Sequence, residues 1–144
     1  MNYSTMIAVP QSPQEVFSRI TSDVAKWWGG PDLSGGTTKL NDEFIIHHSG
    51  AHYSKQRLVK VIPNEKLVWL VTESKLDWLQ KDHQEWTNTR MIFELNTQDN
   101  QTVLHFTHEG LTPEKECYVM CHEGWNTVIK NYLFNLITHN EPHF

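Results

Sequence analysis

The sequence predicts an α+β fold: a curved antiparallel sheet of about six strands wrapped around a long C-terminal helix, with two short helices after strand 1. Three observations carry this. Strand-like alternation dominates the middle of the chain, short turns separate the strands, and the last third reads as one helix with a wide apolar face. Strands linked by hairpins pair antiparallel and twist, and a helix must then cover their apolar face.

Residues 4–9 form a short strand that Pro10 ends. Ser12-Pro13-Gln14-Glu15 is a helix start. Ser12 caps, Pro13 takes the first helical position, and Glu15 completes a capping box. Val16, Phe17 and Ile20 share one face of that helix. A second short helix runs over 23–28, closed by Gly29-Gly30-Pro31. After a Gly/Thr-rich loop, residues 42–48 and 52–62 read as strands, with Ser49-Gly50-Ala51 as their hairpin turn. Pro63-Asn64 reverses the chain again, and strand 67–72 is apolar enough to be buried on both faces.

The next strand, over 88–96, alternates clearly. Met91, Phe93 and Leu95 point one way, and Arg90, Ile92 and Glu94 the other. A turn at 98–101 leads into a strand over 102–108, with Leu104, Phe106 and His108 on one face. Thr112 then caps the last helix, Pro113 opens it, and Glu114 and Glu116 suit the positive end of its dipole. Cys117, Cys121, Trp125, Val128, Ile129, Tyr132, Leu133, Leu136 and Ile137 recur mostly at steps of three and four. One wide face is therefore buried along a helix over about 113–138.

Composition narrows the function classes. The 144 residues fit a single domain, 1–144, large enough to fold without a metal or disulfide staple. Seventeen Asp plus Glu against twelve Lys plus Arg give a net charge of −5, with no basic stripe. That argues against nucleic acid as a partner. Apolar runs are too short for a membrane span, and the start lacks the basic-then-apolar pattern of a leader. Cys117 and Cys121, four apart, suit packing on one helix face better than a disulfide. Reduced thiols in a leaderless chain point to the cytoplasm. No Gly-rich phosphate loop or nucleophile elbow occurs, and no motif implies a cofactor.

Four stretches carry a resemblance. They are Pro10-Gln11-Ser12-Pro13-Gln14-Glu15-Val16-Phe17 with Trp27-Trp28, then Val61-Ile62-Pro63-Asn64-Glu65-Lys66-Leu67-Val68-Trp69. Next are Thr102-Val103-Leu104-His105-Phe106-Thr107-His108-Glu109-Gly110-Leu111, and finally Gly124-Trp125. In this order and spacing the chain resembles the START-like, or SRPBCC, helix-grip superfamily, also described after the birch pollen allergen. Within it, the sequence is most similar to small stand-alone members of the heat-shock protein 90 ATPase activator homologue family. The resemblance implies a cavity between sheet and helix for a lipid-like or other apolar molecule. It also implies chaperone-accessory or cyclase-type roles known elsewhere in the superfamily.

The six tryptophans are the compositional anomaly. Large side chains with one polar N–H, in such number, mark core, pocket wall or interface. The expected ligand-binding lining is Trp28, Phe44, Trp69, Phe93, Phe106, His108 and Trp125. Trp78 and Trp86, inside a polar stretch, are expected to form a lid or contact surface. His108 points inward and reads either as a satisfied core histidine or as the sole catalytic candidate, an acid/base. His47, His48 and His52 form the local His cluster, and Cys117, Cys121 and His122 a second set. Neither completes a three-ligand site, so no metal is expected.

Three functions follow as expectations. The first is binding of a small apolar molecule. The second is a protein-binding domain serving a chaperone partner, as monomer or homodimer. The third is a cyclase- or hydrolase-like enzyme using His108, with Tyr53, His48 or Arg57 as the converging polar group.

Overall fold

A computed structural model describes residues 1–48 and 50–144; Ser49, expected in the hairpin turn, lies outside the described residues. The first elements are β1 (Tyr3–Val9), α1 (Pro13–Ser22), a π-helical turn (Ala25–Gly29) and β2 (Ser34–Gly35). Strands β3 (Glu43–His48), β4 (His52–Ile62), β5 (Lys66–Leu76), β6 (Arg90–Gln98) and β7 (Gln101–Glu109) follow. The chain ends in α2 (Tyr118–Thr127), a π-helical stretch (Val128–Leu133) and α3 (Phe134–His139). The sheet has seven strands, in the order β1-β7-β6-β5-β4-β3-β2, all neighbours antiparallel. The strand beyond the six expected is β2, two residues from the Gly/Thr-rich loop that pair with Phe44 and Ile45.

Local chemistry explains most elements. The Ser12 side chain accepts the Glu15 N–H, as the capping box requires. Met91, Phe93 and Leu95 line the inner face of β6, paired across β7 with His108, Phe106 and Leu104. Register shifts between Lys55 and Gln56 and between Leu58 and Lys60 mark irregularities in the β4–β5 pairing. Such bulges bend strands and raise their twist, which lets the sheet curve around the helix. Reversals fall on residues that tolerate left-handed backbone, with Asn64, Asn88, Asp99 and Asn100 all at positive φ.

Two helical expectations are corrected. The short helix expected over 23–28 is a π turn at Ala25–Gly29, closed by an i→i+5 bond from Gly30 N–H to the Ala25 carbonyl at 2.8 Å. The last helix begins at Tyr118 rather than Pro113. Residues 113–117 form turns and a bend because two donors that a helix there would use are taken elsewhere: Glu116 and Cys117 give their N–H groups to the Glu85 carboxylate.

From 118 to 139 the helical path is continuous but not uniform. Cys121, Trp125, Ile129 and Leu133 recur at steps of four. Four residues overshoot an α-helical turn by about 40°, so a plain α-helix would carry this stripe off the core. The wider π turns of Val128–Leu133 absorb the drift. Ile129, Leu133, Leu136 and Ile137 consequently stay buried against the sheet and α1. Among the described residues no helix is long and apolar enough to cross a membrane.

Candidate functional site

Four segments bring the six tryptophans into one cluster. The π turn carries Trp27 and Trp28, the inner face of β5 carries Trp69, and α2 carries Trp125. Trp78 and Trp86 come from the segment between β5 and β6. Trp69 stacks on Trp27 at 6.1 Å and on Trp28 at 5.8 Å between ring centroids. Trp28 meets Trp125 at 5.1 Å, and Trp125 stacks on Trp86 at 5.9 Å. His52 joins Trp78 to the group, stacked on it at 6.1 Å and edge-on to Trp86 at 5.0 Å.

An open cavity of about 230 Å³ lies at the outer end of this cluster. Trp28, Trp78, Trp86 and Trp125 supply its aromatic wall, and His52 closes one side. Met120, Cys121, Gly124 and Val128 face it from the C-terminal helix. Of the lining expected from sequence, Trp28 and Trp125 therefore border the cavity. Phe44, Trp69, Phe93, Phe106 and His108 lie in the core and do not line it. Trp78 and Trp86 are wall residues here, and Trp86 is only 5% exposed.

Sequence reasoning missed the helix residues Met120, Gly124 and Val128 and the wall role of His52. The inner face of β4 is His52, Ser54, Gln56 and Leu58, so its alternation is mostly polar and hides from a hydrophobic pattern. Beyond its own helix backbone, nothing lies within 4 Å of where a Gly124 Cβ would stand, so the helix leaves that space open.

His108 is fully buried in a closed chain of bonds. Trp125 Nε1–H donates to His108 Nδ1 at 3.0 Å, and Nε2 pairs with Thr89 Oγ1 at 2.8 Å. The Thr89 hydroxyl donates to the Trp86 carbonyl, so it must accept from His108. This network assigns the neutral Nε2–H tautomer and leaves neither nitrogen free. Burial pushes the His108 imidazole down to about 3. Gly110 sits beside this network at φ +101°, where a Cβ would strike Thr89 Cγ2 at 2.7 Å.

His52 is also held neutral. Burial, then the nearby His48 and His47, push it down to about 3, and its Nε2 pairs with Ser54 Oγ at 2.8 Å. His48 faces His52 across the β3–β4 pair with ring centroids 5.5 Å apart, and burial lowers it as well. Among the described residues no three His, Cys, Asp or Glu side chains converge as a metal site. Tyr53 is tied to Glu73 on the outer face of the sheet, away from this cavity.

The mouth is fastened by two carboxylates. Glu85 accepts the N–H groups of Glu116 at 3.0 Å and Cys117 at 2.9 Å. Glu116 in turn accepts those of Gln80 and Lys81 at 2.9 to 3.1 Å. These bonds hold the charged form and lower the Glu116 carboxyl. Between them runs the segment that presents Trp78 and Trp86.

Cys117 and Cys121 form a disulfide, with Cα atoms 5.5 Å apart. The expectation of two packed thiols is corrected, and with it goes the thiol argument for a cytoplasmic setting. Cys117 is the N-cap of α2 with helical backbone angles, and its carbonyl accepts the Cys121 N–H at 2.7 Å, so the two side chains stand one turn apart at the start of the helix. Cys117 is wholly buried, whereas Cys121 borders the cavity.

Comparison with known proteins gives concordant results. A family model described as Activator of Hsp90 ATPase homolog 1-like protein matches residues 10–136. The solution structure of the Aha1 dimer from Colwellia psychrerythraea superposes with a TM-score of 0.76 at 22% identity, covering 95% of this chain and 96% of that one. The protein SSP2350 from Staphylococcus saprophyticus gives 0.72 at 12% identity, covering 100% and 96%. DynU16, a putative protein in the dynemicin biosynthetic locus, gives 0.71 at 16% identity, covering 96% of this chain and 48% of that one. At these identities the likenesses establish the fold. The search of curated proteins found no match.

Proposed function

This chain belongs to the Activator of Hsp90 ATPase homolog 1-like family, and on that premise we propose that it binds a small, flat, mainly apolar molecule in the tryptophan-walled cavity. The observation that carries this reading is Gly124. Glycine inside a helix is unfavourable by about 0.5–1 kcal/mol relative to alanine. Here it is exposed on the open side of the cavity, and no side chain or other segment fills the space before it. A residue that weakens the helix yet leaves a pocket open fits a site for a guest.

The wall also selects. Indole N–H groups of Trp78 and Trp86 are withdrawn from solvent, and that of Trp125 is spent on His108. Three of the four rings therefore present carbon to the guest, and the neutral His52 adds no charge. A cavity of this size takes about three rings at most rather than a long acyl chain. Trp28, Trp78, Trp86 and Trp125 are the residues proposed to hold it.

The test is titration with the neutral fluorophore N-phenylnaphthylamine, alongside native mass spectrometry of freshly purified protein. The native chain is expected to bind the probe. Gly124→Leu, which fills the cavity from the helix side, is expected to abolish binding without lowering Tm. Equal binding by both proteins sinks the reading.

A second reading is a chaperone-accessory surface. It is favoured by Val119 and Met120, which are 68% and 62% exposed beside the cavity mouth. Absence of binding between purified chaperone and this chain removes it. The enzyme reading lacks a working group, since both nitrogens of His108 are engaged by the protein itself.

A further inference from the structure

We infer that the cavity is a thiol–disulfide exchange site, in which a small apolar thiol attacks Cys121 Sγ. This rests on the binding reading above and adds a chemical class of ligand to it. The two sulfurs are unequal. Cys117 is fully buried, and its N–H is held by Glu85. Cys121 borders the cavity among Trp86, Trp125 and Met120. A nucleophile that reaches this disulfide through the cavity meets Cys121 first.

The cavity also filters the attacker. Its aromatic wall and neutral His52 offer no compensation for the fixed charges that a thiol such as glutathione carries besides its sulfur, whereas an aromatic or aliphatic thiol brings in only the thiolate charge consumed in the attack and gains apolar contact. Exchange rate follows which sulfur is attacked and how it is reached. The thiolate forms a bond to Cys121 Sγ and the Cys121–Cys117 bond breaks. Its electron pair leaves on Cys117 sulfur, which takes a proton. A second thiol then attacks the mixed disulfide, releasing the oxidised dimer of the ligand and leaving two protein thiols. Two thiols are oxidised and one protein disulfide is reduced.

The consequence reaches the mouth. Cys117 is the last residue before α2 and one of four backbone donors fastening the segment that carries Trp78 and Trp86. Opening the disulfide frees the turn on which that fastening depends.

The experiment uses the full chain, oxidised with diamide and then given benzyl mercaptan or glutathione, with adducts located by peptide mass. Oxidation is expected to leave the chain two hydrogens lighter than its reduced form. Benzyl mercaptan is expected to add at Cys121 at least about tenfold faster than glutathione, since access governs exchange. Gly124→Leu should remove that preference. Cys117→Ser, given dibenzyl disulfide, should keep its adduct because no second thiol resolves it. Failure of diamide to join the cysteines, an adduct on Cys117, or equal rates for the two thiols overturns the inference. N-phenylnaphthylamine binding on the same samples separates the two ideas: binding without selective exchange leaves the pocket and removes the exchange site.

Discussion

The core under β6 and β7 and the mouth around residues 77–89 are closed by different forces. In the core, Phe93 and Phe106 are at most 1% exposed and lie 5.0 Å apart between ring centroids, with continuous backbone ladders on either side. At the mouth, two glutamates hold four backbone donors between a loop and a turn. Apolar burial does not depend on the ionisation of any group, while carboxylate-to-amide bonds depend on ionisation and geometry. The fold and the access to its cavity are therefore separable, and each can be perturbed while the other is watched.

The largest expected effect is in the core. Phe93→Ala should cost about 3–5 kcal/mol in urea unfolding, because a buried aromatic leaves a cavity that the sheet cannot collapse. Probe affinity of the fraction that remains folded should be unchanged. A large loss of affinity there would break the separation.

Acid touches both regions at once. His52 borders the mouth and His108 the core, and both stay neutral down to about 3 when folded. In an unfolded chain imidazole takes up a proton near 6.5. The unfolded state thus binds more protons as pH falls through this interval. Stability is full above pH 6.5 and is lost progressively toward pH 3. Each ring should remove on the order of 3 kcal/mol between pH 7 and pH 4. Urea midpoints at the two pH values check this, and His52→Gln should remove its share of the slope and leave that of His108. A level profile would mean that neither ring is kept from protons.

Smaller effects belong to the mouth. Glu85→Gln should lower stability by only about 1 kcal/mol, since its bonds are partly screened. Amide exchange at Glu116 and Cys117 should nevertheless rise by about tenfold while core amides hold. Exchange that rises uniformly would show that mouth and core open together. The smallest change is a gain: Gly124→Ala should raise stability by about 0.5–1 kcal/mol through helix propensity. Its single methyl should weaken probe binding only slightly, which ranks it below Gly124→Leu.

The same division marks what the sequence discloses. Alternation at Met91, Phe93 and Leu95 and the capping box at Ser12 are local signals, and both hold in the structure. The helix start at Thr112-Pro113 is a local signal as well, but Glu85, 31 residues from Glu116, takes the donors that the first turn would have used. No window along the chain contains that competition. His52 escaped as a wall residue because the inward face of β4 is polar. Trp78 and Trp86 stand in a charged stretch, and only the folded chain brings Trp86 against Trp125.

The π-helical stretch at Val128–Leu133 has a consequence for how such a chain can diverge. It uncouples the angular alignment of α2 from that of α3. Substitutions that rotate or reshape the pocket side need not be matched by compensating changes on the core side. Conversely, deleting a single residue within the stretch would restore α-helical spacing there and leave α3 on its present face, whereas the same deletion inside α2 or α3 would swing everything after it by about 100°. A one-residue change in length should therefore be better tolerated within those six positions than anywhere else in the helix, while the identity of residues before them is free to drift with the guest.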